Sequence, residues 1–140
     1  MDPHPLIIMT VDDESSVRRV IRTVLERDGF SVLEASSGPE AIELAKHEPQ
    51  IAMVLSDMRL PGMDGNALAH QLRALRPNVP LIFVSAFDSD VDECFRHCPT
   101  LPKPFNGRQL LARVRAQLAL STSAIKTPVP PRDKPAILKS

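Results

Sequence analysis

IAMVLSD, residues 51–57, is an apolar run that passes through Ser56 and stops at a carboxylate, Asp57. It is short for a helix and shows no alternation of apolar and polar residues. That is the pattern of a strand buried on both faces. Leu6–Val11 repeats it upstream and stops at Asp12. Between them, Val17, Val20, Ile21, Val24 and Leu25 fall at helical spacing, with Gly29 placed to cap the helix C-terminus. Phe30–Ala35 reads as another strand. Ser37-Gly-Pro-Glu opens a second helix that buries Ala41, Ile42, Leu44 and Ala45 and ends at Pro49.

The same alternation continues downstream. Asn66–Arg76 carries Leu68, Leu72 and Leu75 at helical spacing and closes at Pro77. Pro80–Ala86 is the fourth strand. Asp88 is placed to cap a short helix over 88–98 with Val91, Cys94, Phe95 and Cys98 inward. Thr100-Leu-Pro is a very short fifth strand, and Pro102 confines it to a sheet edge because it cannot donate to a ladder. Asn106 caps a last helix with Leu110, Leu111, Val114 and Leu118 inward. Strands alternating with helices imply an α/β fold, a doubly wound five-stranded parallel sheet. The flavodoxin-like strand order 2-1-3-4-5 suits a chain of this length, with a short fourth helix, and places a ligand site outside the strand C-termini between strands one and three.

Bulk properties narrow the classes. The 140 residues fit one domain over about 6–120, after a lead-in at 1–5. Residues 121–140 hold four prolines and show no periodicity, so they are expected to be a disordered tail too short for an effector domain. The chain has 17 basic and 17 acidic residues, which argues against direct DNA binding, and no Trp or Tyr on which bases could stack. No apolar run is long enough to span a membrane, and the N-terminus has no signal-peptide pattern, so the expected location is cytoplasmic. Cys94 and Cys98 are expected to be reduced core thiols. His97 beside them makes a poor metal cluster.

Polar residues end four of the strands: Asp12 and Asp13, Asp57, Ser85, and Lys103. The topology makes them converge. Each has an ordinary reading alone, as a turn, cap or solvated side chain. Together they make a site. Three carboxylates in one crevice repel each other and call for a cation, and hard oxygen donors suit Mg²⁺. One carboxylate can then attack phosphorus, with Lys103 neutralising charge on the transferred group and the Ser85 hydroxyl donating to a phosphoryl oxygen.

VDDE (11–14), LSDMRLPGMDG (55–65), FVSA (83–86) and KPF (103–105) resemble the response-regulator receiver family of two-component signalling, over about residues 6–120. The resemblance implies that Asp57 is the phosphorylated residue. It implies that Asp13 binds Mg²⁺ directly, Asp12 assists through water, and the Arg59 main-chain carbonyl completes the set. Ser85 takes the switch position, and Lys103 binds phosphate ahead of a cis bond to Pro104. The implied partner is a histidine kinase or phosphotransfer protein. Such a domain is a signalling acceptor that catalyses only its own phosphorylation and dephosphorylation. This chain departs from the family pattern between Ser85 and Lys103, which is about one helical turn short, and at Thr100, where many members carry a switching aromatic. Short fourth helices resemble receivers attached to hybrid histidine kinases. Phosphorylation is therefore expected to act on 87–98, with Phe87 as the reorienting ring, more than on strand five. Two alternatives share the topology. A haloacid-dehalogenase-like phosphohydrolase would need Asp-x-Asp after strand one, where this chain has adjacent aspartates. A flavodoxin-like carrier would need a Ser/Thr/Gly-rich loop and aromatic rings over the flavin.

Overall fold

Unbroken apolar strands need cover on both faces, and the helices supply it. The structure, a computed structural model, describes residues 6–86 and 91–126. The elements are β1 (Ile7–Val11), α1 (Ser15–Arg27), β2 (Ser31–Ala35), α2 (Gly38–His47), β3 (Ile51–Asp57), α3 (Gly65–Leu75), β4 (Leu81–Ser85), a 3-10 turn (Glu93–Phe95), β5 (Thr100–Pro102) and α4 (Gly107–Lys126). The five strands form one parallel sheet in the order β2-β1-β3-β4-β5. β5 lies at its edge, so Pro102 costs no internal ladder bond.

Strand residues alternate between two separate cores. Met9, Val54, Leu81 and Phe83 pack with α2 and α3. Ile8, Met53, Leu55, Ile82 and Val84 pack with α1 and α4. Local chemistry fixes the helix ends. Gly29 has φ +94°, and the chain there returns its N–H to the Glu26 carbonyl at 3.0 Å. A β-carbon would disfavour that left-handed conformation. Ser37 accepts the Glu40 N–H at 3.3 Å, while the Glu40 carboxylate accepts the Ser36 N–H at 2.7 Å. Asn106 and Gln109 cap α4 reciprocally, each side chain accepting the other's N–H at 2.8 Å.

Three expectations change. First, the short fourth helix is reduced, among the described residues, to the 3-10 turn Glu93–Phe95. Asp88 and Phe87 lie outside the described residues. The cause is visible at Asp92. Its N–H goes to Asn66 Oδ1 at 2.9 Å, and its carboxylate lies 2.7 Å from His70 Nε2. These bonds tie the chain to α3, and Pro99 stops any helix soon afterwards. Second, Cys94 is exposed, and among the described residues 91–98 only Phe95 and Cys98 are buried. Third, α4 runs on to Lys126, past the boundary expected at 120, since neither Gly nor Pro interrupts 108–127. The rest of the expected tail, 127–140, lies outside the described residues.

Candidate functional site

The register of the sheet assembles the site. Val11 pairs with Ser56, so Asp12 follows β1 at the level where Asp57 ends β3. Asp57 pairs with Val84, which puts Ser85 one step further along β4. Ser85 pairs with Pro102, and the Lys103 N–H donates to the Ser85 carbonyl at 2.7 Å. Asp12, Asp13, Asp57, Ser85 and Lys103 therefore gather at one end of the sheet, as the order of strands requires.

Asp12 is 1% exposed and Asp57 7%, while Asp13 is exposed. Carboxylate oxygens of the three lie within 4.8 Å of one another, which suits a shared cation with hard oxygen ligands. Lys103 Nζ donates at 3.0 Å to Asp12 Oδ2 and at 3.0 Å to Asp57 Oδ2, and Glu14 Oε1 lies 3.9 Å away. Asp57 Oδ1 accepts the Arg59 N–H at 3.1 Å. Asp12 Oδ1 accepts the Glu14 N–H at 2.9 Å. The Lys103–Pro104 bond is cis. Gly65 holds the Asp57 loop down, because a β-carbon there would stand 2.8 Å from Met58 Cα and 2.9 Å from the Asp57 carbonyl. An open recess of about 540 Å³ lies beside Lys103, walled by Val17, Val20, Ala86, Pro104 and Phe105.

Burial pushes the Lys103 ammonium toward deprotonation, but its bonds to Asp12 and Asp57 outweigh burial and raise its pKa above the usual 10.5. A folded value above the unfolded one means that this contribution to stability is complete below 10.5 and is lost as pH rises through the folded value. Urea unfolding of wild type and Lys103→Met across that range is the check. The stability advantage of wild type should shrink above 10.5, and parallel profiles for the two proteins would overturn this account of the ion pair.

One part of the site had no sequence signal. Arg18 Nη1 donates to the Asp12 carbonyl at 2.6 Å and its Nε to Glu34 Oε1 at 2.9 Å. Arg22 Nη1 holds the other Glu34 oxygen at 2.5 Å. Burial raises the Glu34 carboxyl, but the bonds from Arg22 and Arg18 overcome it and hold its pKa below the usual range. The Cys94, His97 and Cys98 group plays no such part. Among the described residues, Asp12, Asp13 and Asp57 are the acidic, His or Cys group with metal-binding spacing.

A sequence model of the response regulator receiver domain matches residues 8–115. The chain belongs to that family. The match sets aside the phosphohydrolase and flavodoxin alternatives. Among curated proteins, transcriptional regulatory protein SrrA of Staphylococcus aureus (strain NCTC 8325 / PS 47) is 37% identical over 126 residues, covering 83% of this chain and 49% of SrrA. The chain thus spans about half the length of the curated relatives it matches. The receiver domain of the hybrid histidine kinase CckA is 34% identical with a TM-score of 0.71, covering 80% of this chain and 98% of that one. A response regulator receiver protein from Sinorhizobium medicae WSM419 is 29% identical with a TM-score of 0.75, covering 84% and 97%. In this receiver domain no helix among the described residues is long and apolar enough to cross a membrane.

Proposed function

We propose that this receiver domain accepts a phosphoryl group on Asp57 from a phosphohistidine of a histidine kinase or phosphotransfer protein, and relays the signal by a change of conformation. The observation that carries this reading is the pair of 3.0 Å bonds from Lys103 to Asp12 and Asp57, made at the mouth of a cluster of three carboxylates. Asp12, Asp13, Asp57 and the Arg59 main-chain carbonyl would hold Mg²⁺, which supplies positive charge to the phosphoryl oxygens.

The protein's own groups do the rest. The Arg59 N–H fixes Asp57 Oδ1, and Lys103 fixes Oδ2. A carboxylate oxygen of Asp57 bonds to phosphorus while the P–N bond to the donor imidazole breaks, and that bond's electron pair stays on the imidazole nitrogen. Lys103 and the buried Ser85 hydroxyl donate to the transferred group, whose charge is spread over its oxygens. The apolar recess beside Lys103 favours a protein as the donor.

Incubation with acetyl phosphate or a phosphorylated kinase in Mg²⁺ tests this reading. Labelling should appear as a hydroxylamine-labile acyl phosphate and should vanish in excess EDTA. Undiminished labelling after chelation would remove the metal from the scheme.

A further inference from the structure

Asp13 is exposed, so packing does not aim its carboxylate and the main chain must. The Asp12–Asp13 peptide is where β1 leaves the sheet. The Asp12 N–H still donates to the Ala35 carbonyl at 3.1 Å. The Asp12 carbonyl accepts instead from Arg18, at 2.6 Å. A peptide unit is planar, so fixing that carbonyl also fixes the Asp13 N–H and the direction in which the chain reaches the Asp13 α-carbon.

Arg18 is itself immobilised. Its side chain is 16% exposed, Glu34 on β2 holds its Nε, and Arg22 holds Glu34 from the far side. Helix stability gives no reason for this placement. Arg18 sits near the positive end of α1, whose first turn contains no acidic residue and whose cap, Glu14, makes no side-chain cap bond. A cation there works against the helix dipole.

We infer that Arg18 is a positioning residue for the divalent-cation site, orienting the Asp12–Asp13 peptide through the Asp12 carbonyl, with Glu34 as its anchor. This rests on the proposed function, since it presumes that a cation binds Asp12, Asp13 and Asp57. Two roles for Arg18 make opposite predictions. If Arg18 acts only as a nearby positive charge, its removal relieves repulsion and tightens cation binding. If it orients the carboxylates, removal weakens binding, and groups that orient metal ligands are worth about tenfold or more in affinity.

The test is Mn²⁺ titration of the full chain followed by the electron paramagnetic resonance of free Mn²⁺, with no phosphodonor present. Arg18→Met should bind about tenfold more weakly than wild type. Arg19→Met removes the same charge from an exposed position of the same helix, outside the Arg18–Glu34–Arg22 ion pairs, and it should bind as well as wild type or better. Circular dichroism melts without metal show whether each variant folds. If Arg18→Met does not fold, Arg18→Lys serves: it keeps the charge but cannot bridge the carbonyl and Glu34 with one planar group, and it too should bind more weakly. Affinity at or above the wild-type level in the folded Arg18 variant overturns the inference alone. A wild-type domain that binds no Mn²⁺ overturns the proposed function along with it.

Discussion

Asp57→Asn should abolish phosphorylation by acetyl phosphate and by a phosphorylated kinase, while the far-ultraviolet circular dichroism of the domain stays as it is. The carboxamide matches the carboxylate in size, and its oxygen can still accept the Arg59 N–H that now reaches Asp57 Oδ1. It cannot attack phosphorus, so the loss should be complete. Asp12 is not placed to substitute. Asp12 is 1% exposed, with Oδ1 committed to the Glu14 N–H and Oδ2 to Lys103. The fold should survive because the change removes one of three like charges packed together, and Lys103 keeps Asp12 as a partner. The readout is the mass of the intact protein after incubation with donor and Mg²⁺. A phosphoryl increment on the variant equal to that on wild type would show that another residue is the acceptor.

The largest effect on stability is expected from Phe83→Ala, about 3–5 kcal/mol. Phe83 lies in β4 and is fully buried. Its ring meets Phe95 edge-on at 6.0 Å, and Phe95 meets His70 of α3 at 4.8 Å. The cavity would open beneath the 3-10 turn, against the Phe95 ring. The chain has no Trp or Tyr, so urea unfolding should be followed by circular dichroism. Phe95→Ala and the double variant complete a cycle whose coupling should be about 0.5–1.5 kcal/mol. Strict additivity would mean that the two rings do not stabilise each other.

The sequence disclosed the sheet readily, because a strand covered on both sides must be apolar throughout, and runs such as Ile51–Ser56 have little other use. It disclosed the candidate site for a related reason. Asp12 and Asp57 interrupt apolar runs at the strand ends, and the topology brings those ends together. The turn at 93–95 was less legible. Its conformation is set by Asn66 and His70, side chains on α3 that meet Asp92 only after folding, whereas the spacing of Val91, Cys94, Phe95 and Cys98 satisfies a helical period by itself. Arg18 was illegible for a stronger reason. One of its partners is a main-chain carbonyl, which carries no residue identity, and the other, Glu34, lies on β2, brought beside α1 only by the fold.

The two cores differ in how much chain each needs. The α2 and α3 side is drawn largely from consecutive elements, β2 through β4. The opposite side cannot close until α1 meets α4, with Arg115 paired to Asp28 and Val24 packed at 3.3 Å from where a Gly107 β-carbon would stand. During synthesis, then, one half of the domain can take shape while the other waits for the last helix to leave the ribosome. Until then Ile21 and Leu25 have only the sheet against them, and the face that Leu110 and Val114 will cover stays open. The carboxylates of β1 and β3 come together early in that order, whereas their lysine arrives from β5, near the end.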